Sequence, residues 1–90
     1  ELSPAEQLAN YFARVDAAIA SAPNETEALK YRAARAAMRL QLRPAYDLLR
    51  QYLGQRPRDI DAWDQFATLA AYVGDLGGME LGARRVHDLS

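Results

Sequence analysis

Apolar residues recur along this chain at spacings of three and four, in blocks separated by proline and glycine, which is the period of amphipathic helices. The first block, Leu8, Phe12, Val15 and Ile19, gives one apolar face. It has a clear start, because Ser3 can cap, Pro4 suits the first helical position and Glu6 completes a capping box. A leading helix over 4–22 follows, ended by Pro23. A second helix is expected after Asn24, with Glu27 as box partner, running to about Leu42. Pro44 then forces a new start, since proline is tolerated only in a first turn. The third helix, 44–53, carries Tyr46, Leu48, Leu49, Tyr52 and Leu53, with Gly54 as its left-handed cap. Pro57 and Asp59 introduce a fourth helix, with Trp63, Phe66, Ala67, Ala70 and Val73 on its inner side and Gly74 as its stop. Asp75 caps a fifth, which is weakened by Gly77, Gly78 and Gly82 at about 1 kcal/mol each and is expected to fray through "RRVHDLS". The pattern therefore predicts an all-α chain of about five antiparallel helices.

The segments 22–36 and 56–70 echo each other. Pro23 and Pro57 stand 34 residues apart, and the same offset pairs Ala28 with Ala62, Leu29 with Trp63, Ala33 with Ala67 and Ala36 with Ala70. Acidic residues align at the same offset (Glu25 with Asp59, Glu27 with Asp61). A 34-residue period built of two helices resembles the tetratricopeptide repeat. Trp63, Phe66, Ala67 and Ala70, then the Gly74-Asp75 turn, follow that family's spacing; Leu29, Ala33, Ala36, Ala45, Leu49 and Pro57 do so in the first copy. Arg32, Met79 and Ala83 depart from it. The resemblance implies one right-handed α-α superhelical domain over residues 1–90: the leading helix, a repeat over 24–57 and a repeat over 58–90, as a module of a larger protein. With two repeats near the lower limit of such stacks, the outer face of the fifth helix (Met79, Leu81, Val86, Leu89) is expected to need cover, from a homodimer contact or a further part of a parent chain.

Composition narrows the chemistry. Ninety residues, half of them apolar, allow one small core, and a net charge of −1 offers no global attraction for nucleic acid. With no cysteine and a single histidine, His87, there is no material for a thiolate site, a histidine metal site or a triad. Asp59, Asp61 and Asp64 sit where a helix start favours acids, and Gly77-Gly78 follows a helix turn, not the strand that a phosphate loop requires. No enzyme activity and no cofactor are expected. No apolar run reaches the roughly 20 residues of a membrane span, and no signal-peptide pattern opens the chain. The compartment is open between bacterial cytoplasm and periplasm; abundant Arg and Ala with one Lys suit a GC-rich bacterial genome, where such repeats serve assembly machinery by analogy alone.

The resemblance also places the first helix of each pair on a concave surface that binds a protein or peptide segment. From the second helix it projects Glu27, Lys30, Tyr31, Ala34, Ala37 and Met38 there. From the fourth helix it projects Asp61, Asp64, Gln65, Thr68, Ala71 and Tyr72. The floor would be apolar around Tyr31, Met38 and Tyr72 with acids at one end, unless those side chains simply pack on each other. Of the Lys and Asn pair with which some members clamp a terminal carboxylate, only Lys30 is present, Ala34 standing in the other place. A second candidate is the stripe Arg32, Arg35, Arg39 and Arg43, which suits an anion or nucleic acid, or else pairs with carboxylates such as Asp16 and Asp47. Trp63 reads as core.

Overall fold

The computed structural model describes residues 1–90 as five helices and no strand: α1 (Pro4–Ala20), α2 (Glu25–Met38), α3 (Leu42–Gln55), α4 (Ile60–Val73) and α5 (Leu76–Leu89). Each helix packs chiefly on its neighbours in sequence, most extensively α2 on α3 and α4 on α5, with α3 against α4 and α1 against α2. Short connections make these neighbours antiparallel hairpins; at one hairpin end the Thr26 hydroxyl of α2 donates to the Gln55 side chain of α3. The stack is elongated, with extents of 41 × 28 × 23 Å and a radius of gyration of 13.8 Å, against about 12 Å for a compact chain of this length.

The core lies between α2, α3, α4 and α5. Tyr46 and Leu49 of α3 are wholly enclosed, with Tyr52 and Leu53 beside them and Trp63, Phe66 and Leu69 of α4 opposite. The Tyr46 and Phe66 rings stack at 4.7 Å, and Trp63 meets Phe66 edge-on at 5.4 Å. Trp63 anchors its own polar edge by donating from Nε1 to the Pro57 carbonyl at 2.8 Å. Alanines at positions 33, 36, 45, 62 and 70 are buried, which lets the helices approach closely. Only Val15 of α1 is buried, and Leu8 is exposed; the leading helix lies on the stack at one edge.

Several boundaries differ from the sequence reading. The second helix stops at Met38, not near Leu42, because Leu40 adopts a left-handed φ of 59°. There Gln41 N–H donates to Ala36 O (2.9 Å) and Leu40 N–H to Ala37 O (3.0 Å), the paired bonds of a Schellman ending. The same pair recurs 34 residues later, Asp75 N–H to Ala70 O (2.8 Å) and Gly74 N–H to Ala71 O (3.3 Å). Leu40 thus holds the position that Gly74 holds in the second copy. The third helix starts at Leu42, with Pro44 in its first turn, where backbone N–H groups have no helical partner anyway. Gly54 is no left-handed cap; it lies inside α3, which runs on to Gln55. The capping box is complete at Ser3 and Glu6, but Glu27 supplies only half of one: its N–H reaches Asn24 Oδ1 (2.9 Å) while its carboxylate turns to Arg56 (3.3 Å).

The fifth helix is unbroken to Leu89. Gly78 and Gly82 are buried, and a Cβ on Gly82 would come within 2.8 Å of the Ala67 Cβ and 2.9 Å of the Trp63 carbonyl. These glycines are the contact that seats α5 on α4. The expected open face of α5 is also corrected: Leu81, Val86 and Leu89 pack on the core, leaving Met79 exposed.

Candidate functional site

Two aspartates hold the frame in which the candidate surfaces sit. Asp59 caps α4, its Oδ1 accepting from Ala62 N–H (3.1 Å), while its Oδ2 accepts from Tyr52 Oη (2.6 Å) and Lys30 Nζ (2.8 Å). Asp75 caps α5 in the same way, accepting from Gly78 N–H (3.0 Å) and Tyr46 Oη (2.7 Å). The two tyrosines of α3 therefore hold the starts of the two helices that follow. Burial alone would push the Asp59 carboxyl up, but the bonds from Lys30, Tyr52 and Ala62 outweigh it and hold the group below its ordinary range. Asp75 is lowered by the Gly78 N–H and then by Tyr46. The tyrosines respond in the opposite sense: burial and then the Asp75 bond raise Tyr46 to about 12, and burial and then the Asp59 bond raise Tyr52. As sequence, Tyr46 and Tyr52 read only as apolar positions.

Between α2 and α4 lies a groove of about 320 Å³. Of the residues expected on the concave surface, it brings together Ala34, Ala37 and Met38 from α2 with Asp64, Gln65 and Thr68 from α4. Ala33, Leu49 and Leu69 form its floor, and Tyr11 of α1 contributes a wall. Tyr11 was not singled out from the sequence, because it falls off the Leu8, Phe12, Val15, Ile19 face by about one residue, or roughly 100° around the helix. Its one signal was being a large ring beside Phe12, which it meets edge-on at 5.7 Å.

The remaining expected residues lie elsewhere. Lys30 is committed to Asp59 and sits 5.6 Å from the Tyr52 ring centre, and Glu27 is paired with Arg56. Tyr31 and Tyr72, expected in the apolar floor, are outside the groove at 41% and 72% exposed, and their rings do not stack on each other. Asp61 is exposed on the first turn of α4. Neither Asp61 nor Asp64 has a basic partner within ion-pair distance.

The arginine stripe divides. Arg32 meets Glu25 at 3.2 Å, Arg35 Nε meets Asp16 at 2.7 Å and Arg43 meets Asp47 at 3.5 Å. Arg39 has no carboxylate and lies 5.0 Å from the Phe12 ring centre. Arg32, Arg35 and Arg39 line a cleft of about 240 Å³ beside α3, while Arg43 falls outside it, over Tyr46. No group of three or more His, Asp or Glu side chains is arranged to hold a metal ion, and no helix is long and apolar enough to cross a membrane. No family model, curated protein or solved structure matches this chain.

Proposed function

We propose that the chain is a tetratricopeptide-like helical repeat module that binds a protein partner in the α2–α4 groove, without catalysis. The partner segment is helical or extended, with small apolar anchors and a basic residue at one end. The observation that carries this reading is the groove itself. Its floor is apolar (Ala33, Ala34, Ala37, Leu49, Leu69), its rim offers Gln65 and Thr68 for polar contacts, and Asp64 stands on its α4 side without an internal cation. An apolar trough with polar groups along one edge is how helical and extended segments are received. The free carboxylates of Asp64 and Asp61 favour a Lys or Arg on the segment, through steering more than raw affinity. The repeat assignment is supported by the two helix endings spaced 34 residues apart and by sequential helix packing.

The nucleic-acid alternative is disfavoured by charge. The stripe offers four arginines at most, one of them turned to Asp47, so few phosphate contacts are available along a nucleic-acid backbone.

A pair of fluorescent amphipathic peptides, alike in apolar face but ending in either Lys-Arg or Glu-Asp, tests the proposal by anisotropy. The basic-ended peptide is expected to bind, and Ala34→Arg, which fills the trough, to abolish binding in a chain still helical by circular dichroism. Equal binding of both peptides, or binding indifferent to Ala34→Arg, would sink it.

A further inference from the structure

Two clefts lie on matching places of the stack. One, of about 400 Å³, is floored by Phe66 between α3 and α5; the other, of about 240 Å³, is the arginine cleft beside α2 and α3. The 34-residue offset carries Arg32 onto Phe66, Gln41 onto Asp75 and Pro44 onto Gly78, each pair lining its respective cleft. It also carries Arg35 onto Leu69 and Arg39 onto Val73. In α4 these positions serve the core, with Phe66 and Leu69 buried; in α2 the same positions present three guanidinium groups to one cavity. An edge helix needs fewer apolar residues, but that does not require three cations on successive turns around a cavity whose other walls are Ala36, Pro44 and Leu48.

The charges facing this cavity do not cancel. No acidic side chain lines it. Glu25, which meets Arg32, is 86% exposed, and such a pair is easily exchanged for another anion. Asp16 approaches Arg35 from outside, and the buried Arg35 Nε–H is not aligned for a hydrogen bond despite the short contact. Arg39 faces only the Phe12 ring, and the Gln41 amide completes the polar lining.

We infer that this cleft binds a phosphoryl oxyanion. Guanidinium forks match phosphate oxygens in pairs. Three of them supply more donors than the two oxygens of a carboxylate can accept, whereas a phosphoryl group offers three strong acceptors and up to two negative charges. The cleft is short, with seven lining residues, and Arg43, which would extend it, is turned to Asp47. The ligand is therefore a single phosphoryl group and not a nucleic-acid backbone. The inference is independent of the groove, whose lining shares no residue with the cleft.

Arginine Nε–H resonances of the full chain, followed by NMR at fixed ionic strength, test the site with inorganic phosphate, glycerol phosphate and acetate. Saturable shifts are expected at Arg32, Arg35 and Arg39 with phosphate, but not at Arg43 and not with acetate. A matching response to glycerol phosphate identifies phosphomonoesters as ligands, and a response to inorganic phosphate alone identifies the free anion. Arg39→Gln, which breaks no carboxylate pair, is expected to weaken binding at least about tenfold, and Arg43→Gln to leave it unchanged. Non-saturating shifts, an equal response to acetate, undiminished binding by Arg39→Gln, or tighter binding of an oligonucleotide that persists in Arg39→Gln would each overturn the inference.

Discussion

Leu40 is the one residue other than glycine with a left-handed backbone, and at 81% exposed its side chain gains little from packing. A branched apolar residue in that conformation costs about 1–2 kcal/mol, whereas glycine adopts it freely at an entropic cost of about 0.5–1 kcal/mol. Leu40→Gly is therefore expected to stabilise the fold by up to about 1 kcal/mol, raising the thermal midpoint by a few degrees. Circular dichroism melting decides it; an unchanged or lower midpoint would mean that Leu40 makes a contact worth more than the strain. The sequence offered Gly74 as a stop signal and nothing at Leu40, since leucine is a strong helix former. That is why the second helix read as running on to Leu42. The same blindness affected Tyr46 and Tyr52: their rings fitted the apolar period, while the hydroxyls that meet Asp75 and Asp59 depend on helices not yet placed.

Among elements, α5 shows how one residue type carries opposite meanings. Gly82 admits no Cβ without meeting the Ala67 side chain and the Trp63 carbonyl, while a Cβ on Gly54 in α3 meets nothing within 4 Å. Gly82→Ala is expected to destabilise by about 1–3 kcal/mol through overpacking, outweighing its gain in helix propensity, and Gly54→Ala to stabilise by up to about 1 kcal/mol. Urea unfolding of the two variants checks both signs, and like signs would show that close α4–α5 packing does not decide the fifth helix. The caps make a second test at this scale. Both Asp59 and Asp75 have folded pKa values below their ordinary ones, so their contribution is fully present above the unfolded carboxylate value of about 3.9 and is lost as pH falls through the folded values. Stability should decline on acidification below about pH 4, and less steeply in Asp59→Asn. Parallel declines in the variant and the parent chain would assign acid sensitivity to other carboxylates. That Asp59 and Asp75 cap helices was legible in the sequence. That each is also bonded by a tyrosine from α3 was not, because the pairing spans helices.

At the scale of the molecule, cohesion runs from one helix to the next with little closing back, and it is uneven. A compact monomer of 10.0 kDa exposes roughly 5,200 Å²; this chain exposes 5862 Å². The excess fits an open stack whose groove and clefts stay accessible. The groove was half legible: helical period and repeat offset placed Ala34, Met38, Asp64, Gln65 and Thr68 on facing helices, but the side chosen for Tyr31 and Tyr72 and the wall from Tyr11 depend on crossing geometry that no local pattern encodes. The core is concentrated in α3 and α4, whereas α1 fully buries Val15 alone, with Tyr11, Phe12, Ala18 and Ile19 half-buried and polar contacts at Arg35–Asp16 and Arg39–Phe12. In a stack held by nearest neighbours, stability is close to a sum of local terms, so the edge opens before the middle. Native-state hydrogen exchange should find α1 amides the least protected, with opening energies well below the global value, and α3 and α4 amides exchanging only by global unfolding. Phosphate should then raise protection in α2 if Arg32, Arg35 and Arg39 hold the anion. Uniform protection from α1 to α5 would mean one cooperative unit, and would require an α1–α2 interface stronger than one buried valine, a few half-buried side chains, one ion pair and one cation–π contact supply.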